Sequence, residues 1–211
     1  LMYSHDHYDH IDYDSFKRLS PKVNKYFVAL GVGRHLVRWG VDPDKITEFD
    51  WWQNAEIGDL KITFTPSRHF SGRGVSDRAK SLWGGWVFKT QKHNIYFSGD
   101  GGYGSHFEEI GKQLGPFDFG FIECGQYNEL WHAIHMYPEE AVQAAIDSGV
   151  KVAMPVHWGA FSLAMHHWKE PIDRFVTEAN SKNLEIVTPN LGLLFNLESN
   201  GKKNFWWREI E

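Results

Sequence analysis

A dense cluster of histidine and aspartate side chains lies near the start of the chain, in the segment Ser4-His5-Asp6-His7-Tyr8-Asp9-His10. Side chains alternate between the two faces of an extended segment, so His5, His7 and Asp9 share one face. If the chain turns into a helix after Asp9, His10 reaches the same point. Four nitrogen and oxygen ligands within six residues are typical of a site for a borderline cation such as zinc. The alternative is a polar loop that is merely rich in histidine, and the tight spacing disfavours it.

The composition restricts which kind of metal site the chain can form. Its 211 residues include 12 histidines but one cysteine, so a site of four cysteines is excluded and a metal must rest on His, Asp and Glu. The formal net charge is −5, which argues against a general nucleic-acid or anionic-membrane binder. The hydrophobic fraction of 42% excludes intrinsic disorder, and no linker interrupts the chain, so residues 1–211 are interpreted as one domain.

Strand patterns alternate with helix patterns along the chain, which predicts a layered α/β or α+β fold. The segments with apolar or alternating patterns typical of strands are Tyr26–Val32, Leu60–Thr65, Gly85–Lys89, Asn94–Ser98, Gly120–Glu123, Lys151–Val156, Leu184–Val187 and Leu193–Leu197. Helices are predicted over Asp14–Leu19, after a capping box at Ser105–Glu108, and from Pro138 to Gly149.

Three further candidate ligands share one context, the end of a predicted strand. His69 follows Leu60–Thr65, Asp100 lies in a glycine-rich turn after Asn94–Ser98, and His157 follows Lys151–Val156 directly. Sites in layered α/β folds gather at strand ends, so these side chains are candidates to complete metal shells that the first cluster cannot complete alone. Taken singly, each is as well explained as a turn aspartate or a capping histidine.

The order His5-x-His7-x-Asp9-His10, followed by His69, Asp100 and His157, resembles the metallo-β-lactamase-fold hydrolases. Longer stretches of sequence carry a closer resemblance, to one branch of this family. They include SHDHYDHIDYD, SGDGGYGSHFEEIGKQLGPFDFGFIECGQYNELW, HMYPEEAV and VHWGAFSLAMHHWKEP. These are similar to the branch that contains N-acylphosphatidylethanolamine phospholipase D and its bacterial relatives. The likeness runs from about Met2 to Phe175 and includes residues that are not candidate ligands.

The resemblance implies a site for two zinc ions, although iron or manganese also suits such ligands. One zinc would be held by His5, His7 and His69, the other by Asp9, His10 and His157, and Asp100 would bridge the two. A hydroxide between the metals would be the nucleophile, so Asp9 and Asp100 count as catalytic as well as metal-binding residues.

Four more residues are candidates for supporting roles around this site. His135 precedes the Pro138 helix, and the resemblance implies a position near the substrate phosphate, where it would bind an anion or protonate a leaving oxygen. Arg68 and Arg73 flank His69 and are candidate phosphate contacts, with simple solvation as the alternative. Asp12 is a candidate partner that orients a ligand histidine, and a carboxylate at a helix start explains it equally well.

The resemblance also implies a four-layer αβ/βα sandwich in which the His5 motif ends a strand well inside the first half of the chain. Only Leu1–Ser4 precede the motif here, so we expect a sandwich without its N-terminal strands. Such a chain would be less stable than a full-length relative, and its uncovered sheet edges would favour association, for example into a homo-oligomer.

The favoured function is a zinc-dependent phosphodiesterase of phospholipase D type, acting on a small-molecule or lipid phosphodiester. Two alternatives stay open. The first is a lactonase or another hydrolase on the same di-metal site, and the second is a truncated remnant that binds metal without turnover. We expect a cytoplasmic location with at most peripheral membrane contact, and no nucleic-acid partner, since the chain has no basic run.

Overall fold

Two β-sheets of different size lie at the centre of the computed structural model, which describes residues 1–161, 163–197 and 204–210. The smaller sheet is parallel, with the order β1-β2-β3. The larger sheet has the order β10-β9-β8-β7-β6-β5-β4 and is mixed. The strands are β1 (Met2–Tyr3), β2 (Tyr26–Ala29), β3 (Ile46–Phe49), β4 (Asn54–Ile57), β5 (Leu60–Thr65), β6 (Gly85–Lys89), β7 (Asn94–Phe97), β8 (Phe117–Glu123), β9 (Val150–Val156) and β10 (Glu185–Ile186).

Helices cover the outer faces of both sheets. They are α1 (Tyr13–Leu19), α2 (Gly33–Arg38), α3 (His106–Leu114), α4 (Pro138–Asp147) and α5 (Glu170–Ser181). Side chains of α1 and α2 belong to one apolar core with the smaller sheet and the facing strands of the larger one. Side chains of α3, α4 and α5 form a second core with the other face of the larger sheet. The layers therefore follow the predicted αβ/βα order.

Several predicted elements end earlier than expected or are absent. The strand that begins at Tyr26 ends at Ala29, because Gly31 takes a left-handed conformation with φ of +83° and turns the chain. Leu193–Leu197 forms no strand and belongs to neither sheet in the described part of the chain, and Leu194 is 95% exposed. The prediction there was wrong, because apolar composition alone does not supply a hydrogen-bonding neighbour.

The capping box predicted at Ser105–Glu108 was also wrong. Ser105 does precede α3, but its side chain makes no capping hydrogen bond. Its backbone is itself helical, with φ of −62° and ψ of −16°, whereas a side-chain cap requires an extended residue. The Pro138 helix behaves as predicted: Glu140 accepts a hydrogen bond from the Tyr137 N–H at 2.9 Å, and Gly149 at φ of +75° follows its end.

Trp86 joins the two sheets through packing and one hydrogen bond. The side chain is 1% exposed and lies on β6, and its ring contacts Phe49 and Phe64 with centroids 5.2 and 4.7 Å away. Its Nε1 donates to the Tyr3 carbonyl at 3.2 Å, just before the histidine cluster. Trp86 therefore couples the position of that cluster to the large sheet.

No helix among the described residues is long and apolar enough to cross a bilayer.

We expect Trp86→Ala to lower the free energy of unfolding by about 3–5 kcal/mol, because it leaves a large cavity between the sheets. Urea denaturation followed by fluorescence measures this change. Leu194→Ala is the matched control, since its exposed side chain contributes within about 0.5 kcal/mol. A loss below about 1 kcal/mol for Trp86→Ala would show that this contact does not join the sheets.

Candidate metal centre

The candidate ligands meet because the strands that precede them end at the same edge of the fold. Strands β7, β8 and β9 are parallel, and β5 runs in the same direction because it is related to β7 by two antiparallel pairings. His69 follows β5, Asp100 follows β7, and His157 follows β9 directly. The carboxyl ends of these strands face the segment after β1, which carries the N-terminal ligands.

The segment after β1 passes from an extended stretch into a hydrogen-bonded turn, and α1 begins only at Tyr13. His5 and His7 lie in the extended part, and the N–H groups of His10 and Ile11 then donate to the His7 carbonyl at 3.2 and 2.9 Å. This turn carries Asp9 and His10 toward the end of β7. His5 is 1% exposed, and Asp100 opposite it is 5% exposed, so the polar atoms between them lie away from bulk water.

Three imidazoles converge on one point on the first side of Asp100. His5 Nε2 lies 2.9 Å from His7 Nδ1, and His7 Nδ1 lies 3.2 Å from His69 Nε2. Oδ2 of Asp100 closes this group at 3.8 Å from His5 and 4.0 Å from His69. The remaining ring nitrogens of two members are already paired: His5 Nδ1 with Ser4 Oγ at 3.0 Å, and His69 Nδ1 with the Ile134 carbonyl at 3.0 Å.

A second group lies on the other side of the same aspartate oxygen. Asp100 Oδ2 is 3.0 Å from His10 Nε2 and 3.4 Å from His157 Nε2. Asp9 Oδ2 completes the group at 3.5 Å from His10 and 3.2 Å from His157. One oxygen of Asp100 therefore belongs to both groups, which is the position of a bridging ligand.

The donor spacing fits metal binding. Ligands about 2.0–2.1 Å from a tetrahedral zinc ion stand roughly 3.3 Å apart, and the two groups range from 2.9 to 4.0 Å. The predicted ligands His5, His7, His69, Asp9, His10, His157 and Asp100 are thus brought together. Their chemistry fits a divalent cation, because imidazole nitrogens and carboxylate oxygens face one another within each group.

Electrostatics separates the histidines into two kinds. Burial lowers the pKa of His69 to about 3 and that of His5 well below its usual value, which keeps both rings in the neutral form that binds metal. Burial alone would also lower the pKa of His10, but the Asp100 charge outweighs it and raises this pKa to about 9. The pKa of His157 is raised in the same way by Asp100 and Asp9.

Asp6 fixes the ligand segment from below, a role that the sequence analysis missed. It lies between two ligands, is 0% exposed and accepts from the Gly72 N–H at 2.7 Å and from Ser81 Oγ at 2.8 Å. His35 Nε2 lies 3.2 Å from the same carboxylate. Burial would raise the pKa of Asp6, but these hydrogen bonds lower it to about 2. The sequence did hold a signal for this role, because Asp6 lies between His5 and His7 in an alternating motif and therefore points to the opposite face.

Arg73 does not face the site as a substrate contact. Its Nη1 donates to the Asp6 and Ile11 carbonyls at 2.8 Å each and lies 3.4 Å from the His7 carbonyl. The guanidinium also stacks on the Tyr8 ring, 3.9 Å from its centroid. These contacts make Arg73 a clamp on the backbone of the ligand segment.

Two other predicted site residues make contacts outside the ligand groups. Arg68 Nη1 donates to the Tyr103 carbonyl at 3.1 Å from an exposed position. Asp12 caps α1, because its Oδ2 accepts from the Ser15 N–H at 2.7 Å, and this hydrogen bond lowers the pKa of the carboxyl. Of the two explanations given for Asp12, the helix-start carboxylate is the one seen.

His135 lies beside the candidate ligands. Its ring centroid is 5.0 Å from that of His69 and 5.7 Å from that of His157. Its Nδ1 is 2.7 Å from Oε1 of Glu123, a fully buried carboxylate that the sequence analysis missed. A cleft of about 260 Å³ opens over these groups, and part of its wall is apolar. The apolar lining comes from Phe70, Trp131, Ile134 and Leu163.

Comparison with known proteins identifies the family that this architecture defines. A family model described as the beta-lactamase superfamily domain matches residues 1–158. The chain therefore belongs to the beta-lactamase superfamily, with the metallo-β-lactamase fold of metal-dependent hydrolases. Igni18, a metallo hydrolase of Ignicoccus hospitalis, superimposes with a TM-score of 0.72 at 19% identity over 92% of this chain and 79% of that one.

Curated relatives are similar over nearly the whole chain. An uncharacterized protein of Mycobacterium tuberculosis is 42% identical over 99% of this chain and 57% of its own length. The N-acyl-phosphatidylethanolamine-hydrolyzing phospholipase D 1 of Caenorhabditis elegans is 33% identical over 90% of this chain and 58% of its own length. The chain thus spans somewhat more than half the length of these relatives.

Zinc binding to the metal-free protein should release protons near neutral pH. His10, with a pKa of about 9, and His157, with its raised pKa, carry protons there that a metal displaces. The release should shrink as the pH rises through about 9, and zinc affinity should increase over the same range. Calorimetry in buffers of different ionisation enthalpy measures the release. An affinity that is independent of pH would contradict this assignment.

Arg73→Ala should lower the free energy of unfolding by about 2 kcal/mol, because it removes charge-assisted hydrogen bonds to two carbonyls. It should also weaken zinc binding, since the ligand segment loses its clamp. Urea denaturation and chelator competition test the two effects. Arg38→Ala on the exposed side of α2 is the matched control. Unchanged stability and zinc affinity in Arg73→Ala would refute the clamp.

Proposed function

We propose that the chain is a di-zinc phosphodiesterase of the N-acylphosphatidylethanolamine phospholipase D type. The carrying observation is that Asp100 Oδ2 lies between two donor groups while His135 faces the same cleft. In such a centre two metal ions would bind the phosphoryl group from one side, and an imidazole beside them would be placed to protonate the leaving group. The relatives named as phospholipase D support the substrate class.

Each metal would have its own set of side chains in this proposal. His5, His7 and His69 would hold the first ion, Asp9, His10 and His157 the second, and Asp100 would contact both. Two zinc ions supply activation of water and neutralise charge on the phosphoryl oxygens. Histidine and carboxylate donors also suit iron or manganese, so the metal itself is part of what must be measured.

The side chains around the ions have separate tasks. His135 lies next to the ligands with its Nδ1 against Glu123, so its Nε2 would hold a phosphate oxygen or protonate the oxygen that leaves. Phe70, Trp131, Ile134 and Leu163 give the cleft an apolar wall. A phosphodiester with an attached hydrocarbon chain matches such a surface, since the charged group meets the donors and the chain meets the wall.

A lipid substrate requires contact with a membrane surface but no segment that crosses it. We propose a peripheral encounter with lipid, which is compatible with the lack of a membrane-spanning helix among the described residues. The net charge of −5 does not favour attraction to an anionic surface. Apolar contact near the cleft, where Leu130 is 88% exposed, would then bring the substrate to the site.

The test combines metal analysis with hydrolysis of three substrates. We expect about two zinc ions per chain, hydrolysis of bis(p-nitrophenyl) phosphate and of N-acylphosphatidylethanolamine, and no hydrolysis of a simple lactone. His7→Ala and Asp100→Asn should each lower kcat/KM by about a thousandfold or more, because they remove a ligand or the shared carboxylate. His93→Ala, at the opposite end of β7, is the control and should keep full activity.

Three outcomes would overturn the proposal. Lactone hydrolysis without phosphodiester hydrolysis would assign the other substrate class to the same centre. Bound zinc without turnover of any substrate would indicate a metal-binding remnant. Protein that binds no zinc after dialysis against the metal would refute the centre itself.

A further inference from the structure

We infer that Glu123 is a positioning residue that orients two histidines at once: His135 at the cleft and His157 at the second donor group. Glu123 is the last residue of β8 and is 0% exposed. A carboxylate at such a position is costly to bury unless partners compensate it. The part of this inference that concerns leaving groups rests on the proposed function, whereas the part that concerns metal affinity does not.

The contact with His135 defines which ring nitrogen faces the cleft. Oε1 of Glu123 lies 2.7 Å from His135 Nδ1. The carboxylate oxygen accepts this hydrogen bond, and the Nδ1–H of the ring donates it. Nε2 is then the nitrogen that faces the cleft, and it donates to a substrate oxygen when it carries a hydrogen as well. Without the carboxylate, the ring would lose both this tautomer preference and its fixed orientation.

The contact with His157 is incomplete in a way that points to metal binding. His157 Nε2 faces Asp9 and Asp100, and its Nδ1 lies 3.6 Å from Glu123 Oε1. This Nδ1 and the second carboxylate oxygen of Glu123 are both buried, and neither has a hydrogen-bond partner among the described residues. Histidines that bind a metal through one nitrogen usually donate the other N–H to a carboxylate or carbonyl. A hydrogen bond from the Nδ1–H of His157 to the Glu123 carboxylate would supply the partner that a metal-binding histidine requires.

The backbone around Glu123 makes the carboxylate a rigid support. Its N–H donates to Ser98 Oγ at 3.0 Å, which ties β8 to the turn that leads to Asp100. Glu123 pairs in register with Val156, the residue before His157. His157 has a φ of +63°, and a Cβ added at Gly125 would lie 1.7 Å from its carbonyl oxygen. The backbone at His157 is thus confined, and the carboxylate sets only the ring.

A rival explanation treats Glu123, His135 and His157 as a third metal site, since their ligand atoms also lie within 4.8 Å of one another. That site would require both ring nitrogens of His157 to bind metals. It would also break the 2.7 Å hydrogen bond to His135. The rings of His135 and His157 are nearly parallel, with an interplanar angle of 12°, and present their Nδ1 edges to one carboxylate. This arrangement fits hydrogen bonding to a shared acceptor.

The first experiment measures zinc affinity by chelator competition, without reference to activity. Glu123→Gln keeps the shape of the side chain but presents an N–H₂ group to one histidine. We expect Glu123→Gln to bind two zinc ions at saturation. The more weakly bound of the two should have an affinity ~10- to 100-fold lower than in the wild type. Glu123→Asp should restore part of the affinity. Glu129→Gln changes an exposed side chain and is the control, so it should leave the zinc affinity unchanged.

The outcomes of this experiment separate the explanations. An affinity within about twofold of wild type in Glu123→Gln would overturn the role toward His157. A wild type with three zinc ions, one of which is lost in Glu123→Gln, would overturn it in favour of the third metal site. Thermal unfolding of each variant with zinc shows whether it is folded. If Glu123→Gln does not fold, the comparison of Glu123→Asp with wild type decides.

The second experiment varies the leaving group of the phosphodiester. An alkoxide leaves poorly without a proton, whereas p-nitrophenolate leaves without one, so a misplaced His135 affects alkyl esters selectively. We expect Glu123→Gln to lower kcat for an alkyl phosphodiester ~10- to 100-fold more than for bis(p-nitrophenyl) phosphate. Equal losses with both esters would overturn the role toward His135. If wild type hydrolyses neither, the proposed function fails, and the zinc affinities still test Glu123.

Discussion

The fold brings one buried carboxylate oxygen within 4.0 Å of four imidazoles, and the rest of the site is arranged around that contact. Burial would raise the pKa of Asp100, but His157 and His10 outweigh it and lower this pKa well below its usual value. An ionised carboxylate at such depth is stable only while positive charge surrounds it. Protons on two histidines supply that charge in the metal-free protein, and divalent cations would supply it in the loaded one.

Two other buried carboxylates hold the geometry that Asp100 requires. Asp6 ties the ligand segment to the loop around Gly72 and Ser81, and Glu123 supports the opposite side from the end of β8. Asp6 accepts from the Gly72 N–H and from Ser81 Oγ, and Glu123 contacts His135 beside the candidate ligands. Charge-assisted hydrogen bonds of this kind are short and directional, so they fix side chains more tightly than apolar packing does. The centre is thus held between two acidic supports.

The ligands were predictable from the sequence because their pattern is local, whereas the supports were not. His5, His7 and Asp9 share a face by simple alternation, and His69, Asp100 and His157 each follow a strand whose pattern is legible. Glu123 ends an apolar strand, and only the parallel pairing of β8 with β9 brings it next to His157. Arg73 shows the converse: an arginine near a ligand suggested a phosphate contact, but its geometry satisfies three backbone carbonyls. Long-range register decides such roles, and one sequence does not contain it explicitly.

Electrostatics links the proposed metals to the proposed substrate. The chain carries a net charge of −5, and in the metal-free protein the protons on His10 and His157 only balance the carboxylates of Asp9 and Asp100, so the site has no excess positive charge to attract a phosphodiester. Two divalent cations would displace these protons and bring four positive charges against the two carboxylates, which would make the site positive. His135, held by Glu123, then stands at the border between this positive region and the apolar wall. A phosphodiester with a hydrocarbon chain has the same succession of anionic and apolar parts, and this match supports the proposed substrate class over a neutral lactone.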